Sequence, residues 1–261
     1  MQAATISFLI SNMAYENSFA SVYDVFTDGV DYKTRAGYIC SMLSDYGITE
    51  GTVLDVACGT GSLSEQLLIK GFEVVATDIS VNMLGIAKEK LAPFGDRVLL
   101  LCQDMCELDL FGTVDAAVCS LDSINHLIDE EDVDAAFSSI GLFIRPGGVF
   151  AFDVNTVYKH TDILSDKTFV YEDDDNTFLV WQNSPCDEEN IVEMYIDIFT
   201  EDENGKYSRQ TDFIAERAYS TEFIINSLEN NGFEVLGIFG DLKTEKPADN
   251  EERMYFFARK K

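Results

Sequence analysis

The sequence predicts an α/β fold: a parallel sheet with helices on both faces and an antiparallel sheet set into it. Three observations carry that reading. From residue 51 to residue 154, short apolar runs alternate with amphipathic stretches, the pattern of strand–helix–strand units. A glycine turn, Gly59-Thr60-Gly61, joins the first apolar run to the first amphipathic stretch. Residues 157–218 then break the alternation with four strand-like runs separated by acidic and glycine-containing turns.

Two helices are expected ahead of the first strand, one over 17–27 with Phe19, Val22, Tyr23 and Phe26 on a face, one over 33–46 with Ala36, Ile39, Met42, Leu43 and Tyr46. Strands follow at 52–57, 73–77, 97–102, 114–119 and 148–154, with helices at 62–70, 81–91 and 130–143. Ser62-Leu63-Ser64-Glu65 has the spacing of a capping box. The acids of Asp129-Glu130-Glu131-Asp132 suit a helix N-terminus by their charge alone. Within the break, strands are expected at 169–171, 177–182, 191–200 and 206–216, turning at Asp173–Asn176, Pro185–Asn190 and Asp202–Gly205. Ser220 caps a helix that Gly232 ends, 233–239 and 254–258 are the last two strands, and Lys243–Glu252 is a loop. The chain therefore divides into an N-terminal helical lid (1–50), a core (51–156 and 219–261) and an inserted antiparallel β subdomain (157–218).

A chain of 261 residues with 46% hydrophobic and 12% aromatic residues buries a large core. The formal net charge of −29 repels phosphate backbones, which excludes a nucleic acid as the expected partner. The charge serves solubility or draws a cationic substrate, and segment 166–204, with thirteen acids against one base, poses the same choice locally. Six cysteines without a C-x-x-C pair read as reduced thiols of a cytoplasmic protein, and nothing has metal-ligand spacing. No apolar run is long enough to cross a membrane, and Ile6–Ile10 is too short for a signal peptide.

The chemistry centres on residues 53–61, Val-Leu-Asp-Val-Ala-Cys-Gly-Thr-Gly. A bare glycine backbone between strand and helix lets a ligand approach the free N–H groups of the helix. One strand later Asp78 follows Val74-Val75-Ala76-Thr77, the place of the acid that holds ribose hydroxyls in mononucleotide-binding folds. Together they describe a site for an adenosine-type ligand.

Asp55–Gly61 and Thr77-Asp78-Ile79-Ser80 resemble the first two motifs of class I S-adenosylmethionine-dependent methyltransferases. Cys102-Gln103-Asp104-Met105 resembles the third, and Arg145-Pro146-Gly147-Gly148 the turn before the fifth strand. The resemblance implies a Rossmann-like seven-stranded sheet whose last two strands add antiparallel at its edge, with S-adenosyl-L-methionine as cofactor. It places Asp78 on the ribose hydroxyls, Asp104 on the adenine amino group, and the Met105 N–H beside it. Asp55, Ala57, Gly59 and Gly61 then lie beneath the methionine portion, and Ile79 and Met83 flank the adenosine. Ala57 departs from the glycine that many members carry and tightens that space. Asp104 reads otherwise as an ordinary turn acid.

Residues 15–24 are similar to the segment that closes over the cofactor in small-molecule members, which makes Tyr15 a catalytic-side candidate and Tyr23 a cofactor-side one. Both also read as packing aromatics. After the fourth strand come Ser120 and Ser123-Ile124-Asn125-His126-Leu127, similar to the corresponding segment of sugar and amino-acid N-methyltransferases. His126 there either orients or deprotonates the acceptor, or bonds local backbone at a loop–helix junction. His160 is expected to be an exposed loop residue. The expected activity is methyl transfer to a small-molecule acceptor, amine ahead of hydroxyl, by a monomer or homodimer. A nicotinamide-dependent oxidoreductase is the alternative, weakened because Ser64 replaces the third glycine of G-x-G-x-x-G; a cofactor-binding module without catalysis is another.

Overall fold

A computed structural model describes Ala20, Tyr23, Asp24, Thr27, residues 29–172 and residues 177–261. Tyr15 and most of the expected helix over 17–27 lie outside the described residues, as does the turn Asp173–Asn176. Five strands and four helices alternate as β1 (Thr52–Val56), β2 (Glu73–Asp78), β3 (Val98–Cys102), β4 (Val114–Cys119) and β5 (Ile144–Asn155), with α1 (Tyr32–Asp45) ahead of them and α2 (Ser62–Ile69), α3 (Val81–Leu91) and α4 (Glu130–Phe143) between. The insertion holds β6 (Thr168–Glu172), β7 (Thr177–Asn183), β8 (Ile191–Glu201) and β9 (Tyr207–Arg217). α5 (Thr221–Asn230), β10 (Phe233–Gly240) and β11 (Arg253–Lys260) close the chain.

The main sheet runs β10-β11-β5-β4-β1-β2-β3. β1 pairs in parallel with β2 on one side and β4 on the other, so the order reverses between β1 and β4 and a crevice opens at their carboxyl ends. β11 lies antiparallel between β5 and β10. The expectation of two antiparallel edge strands is thus half met: β10, antiparallel to an antiparallel strand, runs with the rest.

Alternation along the strands sends side chains to two cores. Val53, Val74, Ala116, Val118 and Ala151 pack under α1, α2 and α3 through Ile39, Leu43, Leu67 and Leu91. Leu54, Val56, Ala117, Phe150, Phe152 and Phe256 pack under α4 and α5 through Val133, Phe137, Ile140, Ile224 and Leu228. Phe152 stacks on Phe256 at 5.1 Å and on Phe150 at 4.7 Å.

The insertion is a four-stranded antiparallel meander, β6-β7-β8-β9. Val192, Met194, Ile196 and Ile198 of β8 face its own small core with Leu164, Leu179 and Ile214. Two of its acids do turn work: Asp187 accepts the Glu189 and Ile191 N–H groups, and Asp202 those of Asn204 and Lys206. Ahead of it a single π-helical turn, Lys159–Leu164, carries His160. The periodicity does not signal this turn, and it buries His160 completely, against the expectation of an exposed loop residue. The loop over 243–252 is tied rather than loose at one point, where Lys243 pairs with Glu251 at 2.9 Å and the Glu251 carbonyl accepts Thr156 Oγ1 at 2.6 Å.

Among the described residues no helix is long and apolar enough to cross a membrane. All six cysteines are free thiols; Cys58 and Cys119 are buried and Cys102 is exposed.

Candidate active site

At the carboxyl ends of β1, β2 and β4 the crevice forms a cavity of about 440 Å³. Its floor is the turn after β1. Ala57, Gly59 and Gly61 all have positive φ, at 53°, 55° and 79°. A Cβ at Gly59 would meet no heavy atom within 4 Å, so bare backbone borders open space on the cavity wall. Gly61 has a different job. It lies off the wall, and a Cβ there would meet Leu91 Cδ1 at 3.0 Å and Ala87 Cβ at 3.1 Å. It lets α2 begin hard against α3. Gly61 is also the residue preceding α2, so Ser62 sits inside the first turn and the expected capping box does not form. Ser64 instead donates to Asp55 Oδ2 at 2.5 Å.

Asp78 ends β2 with its carboxylate tying the turn together. Oδ2 accepts the Gly59 N–H at 2.7 Å and Oδ1 the Ser80 N–H at 2.8 Å. Burial raises its pKa, while those two N–H groups and the His126 charge pull the other way. Asp55, fully buried beneath, is pushed up to about 7 by burial and by the charge of Asp78, against the hydrogen bond from Ser64. Ile79, Met83 and Met105 supply apolar wall. Asp104 stands on the same wall and caps the short turn after β3, its Oδ1 accepting the Cys106 N–H at 2.9 Å. Asp129 and Asp132 of the α4 start also line the cavity, which their helix-dipole role does not foretell.

The wall after β4 rests on a buried carboxylate that sequence reasoning missed. Leu121 and Asp122 both have positive φ, 58° and 57°, a costly conformation for non-glycine residues. Their N–H groups converge on Asp153, at 3.0 and 2.9 Å, and Ser120 Oγ donates to the same group at 2.8 Å. Arg253 donates to Asp153 at short range, and Arg35 of α1 lies 3.6 Å away. The Ser120 hydroxyl is thus engaged beside the cavity it lines. Asp153 sits in the apolar run Val149–Val154, and its charge was the only signal.

The N-terminal segment is joined to the floor through Asp24, which accepts Thr60 Oγ1 at 2.6 Å and pairs with Lys90 of α3 at 2.7 Å. Tyr23 and Tyr32 line the cavity beside it. Among the described residues of the insertion, Ile214 and Ala215 reach the wall and none of its acids does. His126 is on the wall, in a short turn over Ser123–His126. Of the candidates from sequence, Tyr23, Asp55, Ala57, Gly59, Asp78, Ile79, Met83, Asp104, Met105, Ser120 and His126 therefore surround one cavity. Among the described residues no cluster suits a metal ion.

Residues 53–148 match the family model of a methyltransferase domain. Over 250 residues the chain is 33% identical to a protein of Geobacillus sp. (strain WCH70) named as a methyltransferase, covering 95% of this chain and 100% of that one. The crystal structure of an S-adenosylmethionine-dependent methyltransferase from Clostridium acetobutylicum ATCC 824 superposes with a TM-score of 0.83 at 33% identity, over 94% of this chain and 98% of the other. A shorter match, 28% identical over 137 residues and 52% of each chain, is to dTDP-3-amino-3,6-dideoxy-alpha-D-glucopyranose N,N-dimethyltransferase of Streptomyces fradiae.

Proposed function

We propose, from the premise that this chain belongs to the class I S-adenosylmethionine-dependent methyltransferases, that it methylates an amine of a small molecule. The residues present fit the cofactor: open space over the Gly59 backbone, a carboxylate at the end of β2, and apolar walls at Ile79 and Met83. When bound, S-adenosylmethionine supplies a methyl group on a positively charged sulfur. Asp78 is assigned to the ribose hydroxyls, Asp104 and Met105 to the adenine, and the 57–59 backbone to the methionine portion. The second aspartate, Asp55, supports the turn from below.

The bound cofactor would supply that methyl group to the acceptor's lone pair, held there by Asp78, Asp104, Met105 and the 57–59 backbone. The chain's part is to hold the partners in line and keep water out. The N-terminal segment, through Tyr23, and the inserted sheet, through Ile214 and Ala215, form the cover, which makes 1–50 the lid and 157–218 the acceptor-side subdomain of the 51–156 and 219–261 core. His126 takes the proton that the methylated nitrogen sheds.

The observation that carries this reading is one cavity whose wall combines the glycine floor, Asp78 and His126. A small acceptor suits a cavity of about 440 Å³, and a net charge of −29 disfavours nucleic acid. The N,N-dimethyltransferase relative supports nitrogen over oxygen. The free thiols support a cytoplasmic setting. The nicotinamide alternative finds no support among these relatives. The test is transfer of a labelled methyl group to panels of amines and of alcohols. Turnover confined to amines is expected. Turnover confined to alcohols would overturn the assignment, and bound cofactor without turnover on either panel would favour a non-catalytic module.

A further inference from the structure

The chain has two histidines, and both meet the same carboxylate. Glu216, at the end of β9, is buried. Its Oε1 lies 3.9 Å from His126 Nε2 and its Oε2 3.5 Å from His160 Nε2, separations of ion pairs rather than of formed hydrogen bonds. Asn155 Nδ2 donates to Oε2 at 2.9 Å. Asn155 is itself fixed, its N–H donating to Asn125 Oδ1 at 2.9 Å and its Oδ1 accepting Lys159 Nζ at 2.8 Å. His160 Nδ1 lies 2.9 Å from the Asn190 carbonyl, which can only accept. Nδ1 therefore carries a hydrogen, and Nε2 is the nitrogen turned to Glu216.

A carboxylate is buried only at a cost unless its charge is answered. Burial opposes the charge of Glu216, but the polar contact of His160, the charges of His126 and His160 and the Asn155 amide outweigh it and hold the group below the ordinary carboxylate value. The insertion thus delivers a fixed negative charge to the back of a histidine on the core's cavity wall. It contributes little else polar there.

We propose that Glu216 is a positioning residue of the methyl transfer, which fixes the His126 ring on the cavity wall and stabilises the imidazolium that forms when His126 accepts the acceptor's proton. This rests on the reading of His126 given above. In that step an N–H bond of the methylated ammonium breaks and its electron pair stays on nitrogen as the free amine. The proton bonds to the imidazole and passes on to water, which reaches a side chain that keeps 24% of its surface exposed.

An anion within about 4–6 Å raises the pKa of an imidazole. Other charged groups also stand near His126. Asp78, from β2, acts on it from the cavity side. His160 stands beyond Glu216. Asp122, in the same turn, is occupied by Asn155 and Arg253. Arg217, next in β9, turns away to the Ile128 carbonyl and Glu130. All of these remain when only Glu216 is changed.

The experiment is histidine-selective NMR titration of the full chain, in which His126 is the imidazole whose signals vanish in His126→Gln. Glu216→Gln keeps the size of the side chain and is expected to move the His126 titration to lower pH. A His126 pKa that moves by less than about 0.2 would overturn the proposal. Should Glu216→Gln fail to fold, Glu216→Asp retracts the same charge by one methylene; a drop of about half as much is expected, and no drop overturns the proposal. Calorimetric binding of S-adenosylmethionine to Glu216→Gln should stay within about twofold of the unaltered chain, since Glu216 does not reach the cavity wall. The premise fails separately: if His126→Gln retains full turnover on amines, His126 is not the proton acceptor, whatever the titration shows of Glu216.

Discussion

Replacing Asp153 with asparagine probes the support behind the cavity wall most sharply. The side chain is fully buried and answers four donors, Ser120 Oγ, the Leu121 and Asp122 N–H groups and Arg253, and pairs at 3.6 Å with Arg35. An amide of the same size keeps one accepting oxygen but loses the charge, leaving two guanidiniums whose side chains are only 12% and 9% exposed. Breaking a buried ion pair from one side costs about 3–5 kcal/mol. Asp122 and Asp241, each 3.3 Å from one of these arginines, remain as partial partners. The lower end applies, so Asp153→Asn is expected to lose about 3 kcal/mol, and Asp153→Ala more, because it also releases the positive-φ pair. Urea unfolding at pH 7.5 measures this as a shifted midpoint at constant slope. Burial alone would raise the Asp153 pKa, but Arg253 and Arg35 bring it below the ordinary 3.8. Stability from this group is therefore present above pH 3.8 and is lost as the pH falls through the depressed native value, so the gap between the two proteins narrows in acid. A loss below about 1 kcal/mol at pH 7.5 would refute the reasoning.

Asp55 carries the opposite sign. Its native pKa, raised to about 7, means that the folded chain holds a proton the unfolded chain has released between 3.8 and 7, so stability falls as pH rises across that window. Asp55→Asn should remove the slope and stabilise the protein by about 2–4 kcal/mol at pH 8, with little gain near pH 4; thermal melts from pH 5 to 8 check this, and parallel pH profiles for both proteins would contradict it. Ala57 holds φ 53° on the cavity wall. Ala57→Val should cost about 1–3 kcal/mol and weaken cofactor binding at least about tenfold by calorimetry, whereas Ala57→Gly should leave both nearly unchanged.

What could be read in advance follows from how local each signal is. The β1 turn and Asp78 were legible because a glycine bend and an acid one strand on are short-range features of a parallel sheet. The β8 alternation of Met194, Ile196 and Ile198 against Tyr195, Asp197 and Phe199 gave away the inserted meander. The capping box failed because Ser62 and Ser64 have other partners: Lys90 donates to Ser62 Oγ at 2.6 Å, and Ser64 donates to Asp55. Both are tertiary contacts that no four-residue spacing contains. His160 was misplaced for the same reason. Its burial depends on the Asn190 carbonyl and on Glu216, 30 and 56 residues away in the chain. Asp153 lies among apolar neighbours and Glu216 between Ala215 and Arg217, and nothing in sequence distance reveals which cations or histidines will answer them.

The central claim is that the glycine floor and Asp78 together hold S-adenosylmethionine. Isothermal calorimetry of that ligand into the full chain and into Asp78→Ala tests it directly. A roughly micromolar Kd that weakens at least about tenfold in the variant is the predicted result. Absence of binding to the unaltered chain, or equal affinity in the two proteins, would contradict it.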